Sequence, residues 1–162
     1  MTAAEDIFGR NEDMIFVSHY DSPLGMIYMA ADDDVLKGVW FEGQKYFASG
    51  LDKKETEDKE TPVLKQTKEW LDLYFAGKDP EFLPPLAPEG SEFQKKVWKI
   101  LLMIPYGKTM TYGEIGRKVA KMSGKKTMSA QAVGGAVGHN PISILIPCHR
   151  VVGTNGSLTG YA

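Results

Sequence analysis

A proline-rich stretch is the feature that most limits how this chain can fold. It contains Pro80, Pro84, Pro85 and Pro88. Proline fixes its own φ and lacks a backbone N–H, so neither a helix nor a central strand can run through the stretch. We therefore expect an extended linker at 79–90 that separates one domain at 13–78 from another at 91–162. Residues 1–12 are polar and predict a loose tail.

The charge of the chain changes sign at the same place. Residues 1–90 have a net charge of -10 and residues 91–162 a net charge of +8, within a total of -2. A strongly basic half is typical of a domain that binds a polyanion. The pattern favours a nucleic acid as the partner of the C-terminal domain. The alternative is that the charges pair across the interface between the domains.

Three strand patterns open the N-terminal half. They lie at 14–20, 25–31 and 35–41, where apolar residues are interrupted by turn formers. Short strands joined by such tight turns predict an antiparallel meander. The half is therefore expected to contain a small antiparallel sheet.

The segment after the strands predicts a loop and then a helix. Residues 52–60 are almost wholly charged, which indicates a loop or a frayed first turn. Thr61 and Pro62 form a typical helix start, with Thr as N-cap and Pro at the first helical position. Apolar residues at helical spacing continue to Gly77, which offers a stop. We expect this helix to cover one face of the sheet.

The C-terminal half shows helix starts at short intervals. Ser91-x-x-Gln94 is a capping-box pattern, and the apolar stripe behind it predicts a helix to about residue 103. Thr111-x-x-Glu114 predicts a second helix, and Thr127 or Ser129 can cap a third. Two helices joined by a short basic turn fit the helix-turn-helix arrangement of DNA-binding proteins. Many helical hairpins that bind nothing share this pattern.

The third predicted helix is unusually slim. Its small residues are Ala130, Ala132, Gly134, Gly135, Ala136 and Gly138. Each interior glycine costs a helix about 1 kcal/mol relative to alanine. The backbone must therefore come close to something, which is either another helix in a tight core or the floor of a DNA groove. The residues alone leave both alternatives open.

Cys148 is the only cysteine of the chain, and its neighbours are typical of a reactive thiol. An apolar run at 142–146, expected to be extended, leads to Pro147 and delivers the cysteine. His149 and Arg150 follow it, and nearby cations lower the pKa of a thiol and so favour the nucleophilic thiolate. The alternative is a structural cysteine, since a free thiol is often buried as a small hydrophobe.

A single thiol also bears on the cellular compartment. It excludes a disulfide framework within this sequence and suits the reducing cytoplasm. The sequence has no apolar run of the roughly 18 residues that a membrane span requires. Its N-terminus is acidic and lacks the pattern of a signal peptide. We expect a cytoplasmic protein that does not bind membranes.

A hairpin is predicted after the cysteine, because Asn155-Gly156 is a strong hairpin signal between Val151-Val152 and Leu158. A hairpin that follows a helix-turn-helix is a wing. The domain at 91–162 is therefore predicted to be a mainly helical winged helix-turn-helix.

The run Pro147-Cys148-His149-Arg150-Val151-Val152 resembles the active site of the O6-alkylguanine-DNA alkyltransferases, the methylated-DNA–protein-cysteine methyltransferases. The resemblance covers most of residues 91–162 through four more motifs. These are Thr111-Tyr112-Gly113-Glu114, Ala132-Val133-Gly134-Gly135-Ala136, His139-Asn140-Pro141 and Leu158-Thr159-Gly160-Tyr161. Residues 1–90 resemble more loosely the ribonuclease-H-like N-terminal domain of that family. The resemblance implies an α+β fold of two domains.

The resemblance also implies an activity. Cys148 would take an alkyl group, mainly methyl, from O6 of guanine in one irreversible turnover that needs no cofactor and no metal. His149 would act as general base through a water molecule. The implied partner is double-stranded DNA that contains O6-alkylguanine, and the protein is expected to be a monomer. Activity toward O4-alkylthymine is left open.

Further residues receive implied roles through the matching motifs. Tyr112 would help to rotate the damaged nucleotide out of the duplex. Asn140 belongs to the network around the cysteine, and the hydroxyl of Tyr161 would meet the guanine. Main-chain groups near Val151 would recognise the edge of the base. The other residues expected to contact DNA or substrate are Gln131, Ala132, Gly134, Gly135 and Arg150.

The sequence departs from the family pattern at two places. Many members have an arginine where this chain has Gln131, which predicts weaker DNA affinity because glutamine carries no charge. The glutamate that orients the family's histidine has no counterpart, since no carboxylate follows Cys148 up to Ala162. Either the natural chain continues or activation of the thiol lacks this third group. Some relatives bind zinc in the N-terminal domain, but His19 has no companion cysteines.

The sequence leaves two other functions as alternatives. One is a non-catalytic winged-helix module that binds damaged DNA and keeps Cys148 as a structural residue. The other is a cysteine hydrolase, which needs a histidine from a separate segment. His19 and His139 are poor candidates for that histidine, because the first lies in the acidic half and the second at a helix end.

Overall fold

A four-stranded sheet forms the N-terminal half of the computed structural model, which describes residues 14–44, 47–48, 51 and 55–153. The strands are β1 (Met14–Ser22), β2 (Gly25–Ala31), β3 (Leu36–Phe41) and β4 (Glu55–Asp58). Their order in the sheet is β3-β2-β1-β4, and the first three strands pair antiparallel as predicted. The predicted tail at 1–12 lies outside the described residues.

Strand β4 corrects the prediction of a loop or frayed turn over 52–60. It pairs in parallel with β1, with Met14 opposite Glu55 and Val17 opposite Asp58. All four of its residues are exposed. An edge strand of this kind is held by main-chain hydrogen bonds and buries no side chain, so it leaves no alternating apolar pattern in the sequence. Charged side chains on an edge also discourage pairing with other chains.

Helix α1 (Pro62–Phe75) packs on the sheet and begins where the sequence predicts. The Thr61 side chain accepts the backbone N–H of Leu64 at 3.3 Å, which satisfies one free donor of the first turn. Leu64 and Leu71 are fully buried. The helix ends before Gly77, whose φ of +77° lies in the left-handed region that glycine adopts without strain.

The proline-rich segment runs along the outer edge of β3. Leu36 donates its N–H to Pro85 at 2.7 Å and accepts the N–H of Ala87 at 2.9 Å. The segment is thus extended at this point, as its prolines require, and is held against the sheet.

Three helices make up most of the C-terminal half. They are α2 (Glu92–Leu101), α3 (Tyr112–Met122) and α4 (Ala130–Gly138). Ser91 and Gln94 form the predicted capping box, and Ser129 rather than Thr127 caps α4. Gly116 of α3 lies close to Met128 and Val133, so α3 and α4 form a helix-turn-helix with a tight crossing. No helix in the described part of the chain is long and apolar enough to cross a membrane.

The two halves share one hydrophobic core. Leu36 and Val39 of β3, Leu64 of α1 and Ile100 of α2 belong to the same buried cluster. The segment after α4 also joins the sheet, because Val39 donates its N–H to Pro141 at 2.8 Å and accepts that of Ser143 at 2.9 Å. The chain that leads to the cysteine is therefore fastened to the edge of the N-terminal sheet.

Candidate active site

Cys148 is buried at the start of a short 3-10 turn, Cys148–Arg150, with 6% of its surface exposed. The preceding Pro147 has φ -83° and ψ 69°, and the N–H of Cys148 donates to the Ile146 carbonyl at 2.8 Å. These values describe an inverse γ-turn, a tight turn that proline favours by fixing φ. The turn therefore fixes the backbone that carries the thiol.

Asn140 braces the loop that presents the cysteine. Its Nδ2 donates to the Ile146 carbonyl at 2.8 Å, and its Oδ1 accepts the N–H of Ile142 at 2.9 Å. The side chain is buried, with 5% of its surface exposed. The Ile146 carbonyl thus joins Asn140 to the γ-turn of Cys148. This contact ties Asn140 to the loop that presents Cys148, while its predicted role in the site stays a prediction.

The run at 142–146 is a turn, so the prediction of an extended segment is wrong. The Ile146 N–H donates to Ile142 at 3.1 Å, and Ile144 has a φ of +69°. A β-branched residue in the left-handed region is strained, and such strain persists only where the surroundings enforce it. Here the surroundings are the buried side chains of the run and the Asn140 brace. A five-residue run with four apolar residues carries no pattern that separates a strand from a buried turn.

A two-stranded parallel pairing brings Tyr112 to the cysteine segment. Strand β5 (Met110–Thr111) pairs with β6 (Val151–Val152), and Thr111 lies opposite Val152. Tyr112, the first residue of α3, follows directly. Val151 is buried and its N–H donates to the Cys148 carbonyl. The predicted partner strand of the wing, with Asn155-Gly156, lies outside the described residues, as does Tyr161.

Helix α4 turns one side inward and exposes the other. Val133, Ala136 and Val137 are buried, whereas Gln131, Ala132 and Gly135 are exposed. A Cβ added to Gly135 would meet nothing within 4 Å, and one added to Gly134 would reach only Tyr112, at 3.9 Å. Internal packing therefore does not explain these two glycines.

His149 is half-buried and lies against the N-terminal half of the molecule. Burial, together with the positive charge of Arg150, lowers the pKa of His149 from 6.5 to about 4. Its Nε2 lies 3.1 Å from the hydroxyl of Tyr74 in α1. The imidazole is therefore neutral at physiological pH, with a lone pair on one ring nitrogen.

Tyr74 was not singled out by the sequence. It belongs to the apolar stripe of α1, and no local pattern connects residue 74 with residue 149. Only the packing of α1 against the cysteine segment reveals the contact. The Trp98 indole, which donates to the Ala136 carbonyl at 2.8 Å, was likewise not singled out by the sequence.

Arg150 makes contacts within the protein. Its Nη1 donates to the Ile104 carbonyl at 3.3 Å, and the guanidinium lies 5.3 Å from the centre of the Tyr106 ring. This geometry fixes the end of the 3-10 turn to the segment after α2. Its predicted contact with DNA or substrate stays a prediction.

The helix-turn-helix carries an exposed basic surface. Five of its cationic side chains are exposed, and these are Arg117, Lys118, Lys121, Lys125 and Lys126. The turn between α3 and α4 supplies the last two. Exposed cations on one motif attract the phosphates of a nucleic acid.

Fold and site together define a class: an α+β protein of two parts, in which a basic helix-turn-helix domain holds a buried cysteine beside a neutral histidine. Tyr112, Gly134, Val151, Cys148 and Asn140 are brought to one region by the contacts described above. Gln131 and Ala132 lie on the exposed side of α4.

Similarity to known proteins gives the family. Residues 15–88 match the ribonuclease-like domain and residues 92–162 the DNA-binding domain of 6-O-methylguanine DNA methyltransferase. A methylated-DNA–protein-cysteine methyltransferase of Methanosarcina acetivorans is 42% identical over 91% of this chain and 90% of that protein. One of Mycolicibacterium paratuberculosis is 43% identical over 91% of this chain and 84% of that protein.

Solved structures agree with the sequence matches. The crystal structure of Mycobacterium tuberculosis O6-methylguanine methyltransferase is 40% identical, has a TM-score of 0.75 and covers 92% of this chain and 85% of that one. The same organism's OGT in complex with DNA is 37% identical, also with a TM-score of 0.75, and covers 92% and 84%. The chain belongs to the methylated-DNA–protein-cysteine methyltransferase family. The predicted resemblance and the two-part α+β fold are confirmed.

Proposed function

We propose that this protein repairs alkylated DNA by transferring the alkyl group from O6 of guanine to Cys148, once per molecule. The observation that carries the proposal is that a buried thiol at Cys148 is followed directly, in one 3-10 turn, by a half-buried, neutral imidazole at His149. A neutral imidazole can take up the proton that the thiol must lose to become a nucleophile. A cysteine that served packing alone would gain nothing from it.

The proposed step conserves atoms and charge. The thiol proton passes through water to His149, and the sulfur attacks the alkyl carbon. The S–C bond forms while the bond between that carbon and O6 breaks, and the proton held by His149 returns through water to the guanine as it leaves. The thioether is stable toward hydrolysis, so the protein is consumed. The step as written balances without a metal ion or a redox partner.

The exposed side of α4 is proposed to enter a groove of duplex DNA. Gly135 offers bare backbone there, and Gln131 and Ala132 lie beside it. Tyr112, at the start of α3, would press on the phosphate beside the damaged nucleotide and favour its rotation out of the stack. Gly134 would let the backbone come close. The cations of the helix-turn-helix would hold the phosphates on either side.

Recognition of the rotated base is proposed to involve the cysteine segment itself. Asn140 would keep the loop in place while main-chain groups near Val151 meet the base edge. Tyr161 and Arg150 are proposed as further contacts to substrate or DNA. Duplex DNA with O6-alkylguanine is the proposed partner, the protein is proposed to act as a monomer, and its proposed compartment is the cytoplasm.

The alternative function, a binding module with a structural cysteine, predicts a different outcome from the same experiment. The protein is incubated with a duplex that contains one O6-methylguanine, and its mass is then measured. Transfer adds one methylene unit to the peptide that contains Cys148. An unchanged mass, with the duplex still bound, would favour the binding module.

The matched control is Cys148→Ala. We expect this variant to bind the same duplex with unchanged affinity and to gain no mass, because the cations and α4 rather than the thiol hold the DNA. Loss of binding in Cys148→Ala would contradict this division of roles.

A further inference from the structure

The histidine beside the cysteine has its hydrogen-bond partner in the other half of the molecule. The Tyr74 hydroxyl and His149 Nε2 lie 3.1 Å apart, and the two rings meet edge to face at 6.0 Å and 77°. Tyr74 belongs to α1, which packs on the N-terminal sheet. The contact therefore crosses from one half to the other and ends at the residue that follows the nucleophile.

Tyr74 is held firmly enough to orient another side chain. Its ring stacks on Trp70 at 5.3 Å and 10°, and it meets Phe75 edge to face at 5.4 Å. Trp70 is itself buried, with 6% of its surface exposed. Burial raises the pKa of Tyr74, an effect that the charge of Arg150 partly offsets. The phenol is therefore a neutral hydrogen-bonding group throughout the physiological pH range.

The hydrogen bond bears on which nitrogen of His149 carries the proton. A neutral imidazole has one N–H and one lone pair, and the partner of one nitrogen decides the state of the other. A hydroxyl can donate or accept, so the 3.1 Å contact is compatible with either tautomer, and the N–H is on Nε2 when the Tyr74 oxygen accepts. With the proton on Nε2, the lone pair is on Nδ1, which is the nitrogen left to receive a proton from the thiol.

We infer that Tyr74 is a positioning residue for His149, whose hydroxyl holds the imidazole in the tautomer with the proton on Nε2 so that Nδ1 can take up the proton of Cys148. This inference rests on the proposed alkyl transfer. The arrangement follows the logic of a catalytic triad, where a third group fixes the tautomer of the base. Here the third group is a phenol from the N-terminal domain.

The size of the effect follows from the type of bond. A hydrogen bond between two uncharged groups contributes a modest net free energy, so its loss is expected to slow the reaction by about tenfold. A carboxylate in that place would have a larger effect, because it also stabilises the imidazolium that forms.

The kinetic test compares Tyr74→Phe with a matched control, Tyr20→Phe. Tyr20 donates its hydroxyl to Asp72 of the same helix at 2.6 Å, so the control removes a hydroxyl next to α1 without touching His149. We expect methyl transfer from a duplex with O6-methylguanine to slow about tenfold in Tyr74→Phe and to stay at the wild-type rate in Tyr20→Phe. Both variants should bind the duplex normally. Wild-type rates in Tyr74→Phe, or equal slowing in both variants, would overturn the inference.

A spectroscopic test needs neither Tyr74→Phe nor the transfer reaction. The imidazole nitrogen resonances of His149 in the wild-type protein, assigned with His149→Gln, should show a protonated Nε2 and an unprotonated Nδ1 at neutral pH. The opposite tautomer would overturn the inference. If instead the wild-type protein takes up no methyl group while the expected tautomer is observed, the proposed function fails and the placement of His149 by Tyr74 stands.

Discussion

The Trp98 indole N–H donates to the Ala136 carbonyl at 2.8 Å, so a buried side chain of α2 is bonded to the backbone of the helix proposed to enter DNA. Trp98 is 2% exposed. The bond satisfies a buried carbonyl and sets the depth at which α4 lies against α2.

Trp98→Phe should therefore destabilise the protein more than the loss of ring area alone explains. An unsatisfied buried carbonyl adds about 1–3 kcal/mol to the cost. Trp40→Phe is the matched control, since Trp40 is equally buried and its indole makes no hydrogen bond within the described part of the chain. Urea unfolding of both variants gives the comparison. Equal losses would show that the bond to Ala136 contributes nothing.

Asn140→Asp should weaken both the fold and the transfer. Aspartate keeps an acceptor for the Ile142 N–H but replaces the donor to Ile146 with an oxygen that faces a carbonyl. We expect a loss of about 1–3 kcal/mol in the free energy of unfolding, since a buried group loses its partner. Unfolding curves and single-turnover transfer rates check the two effects. Transfer at the wild-type rate would show that the brace does not position Cys148.

Acid should destabilise the protein partly through His149. The folded pKa of about 4 lies below the ordinary 6.5, so the unfolded chain binds the proton first as the pH falls. The contribution of His149 to stability is present above about pH 6.5 and is lost progressively toward pH 4. We expect His149→Gln to show a shallower decline over this window in urea unfolding at several pH values. Parallel declines would contradict the lowered pKa.

Gly135→Ala tests whether folding or DNA binding requires glycine at this position. The added methyl group meets open space, and alanine favours a helix over glycine by about 1 kcal/mol. The variant should therefore be at least as stable as the wild type, yet bind duplex DNA more weakly if the backbone of α4 approaches the groove at this point. Thermal unfolding and a binding titration test the two statements. Unchanged affinity would place the DNA elsewhere.

Gln131→Arg should tighten binding to a damaged duplex. Gln131 is exposed in the first turn of α4, where a guanidinium adds a cation and a stacking plane. The gain should shrink as salt is added, because it rests partly on phosphate neutralisation. Titrations at two salt concentrations measure both effects. Weaker or unchanged affinity would show that residue 131 does not face the DNA.

The sequence predicted best where one local signal decides the structure. Thr61 and Ser91 cap helices at the predicted positions, because an N-cap acts on N–H groups two or three residues away. The prediction failed at Glu55–Asp58, where main-chain pairing with a distant strand makes an edge strand from four exposed polar residues. It also failed at 142–146, where Asn140 and tertiary packing impose a turn.

The candidate site was predictable to a similar degree. Because His149 follows Cys148 directly in the sequence, the motif could predict that both residues belong to one site. It could not place Tyr74, because the contact spans two domains and depends on how α1 packs against the cysteine segment. When the partner of a site residue comes from another domain, the two residues have no fixed spacing in the sequence that would reveal the contact.

The covered edge of β3 has a consequence for how the chain comes to be folded. Leu36 is paired with the linker and Val39 with the segment 141–143, so this edge is closed by residues synthesised long after the strand itself. Until those residues leave the ribosome, β3 presents unpaired backbone groups, the kind of edge that invites pairing between nascent chains. The contact between residues 39 and 141 also has a high sequence separation, which slows folding. The segment that presents the nucleophile thus also covers the edge of β3, and it does so later in synthesis than the linker.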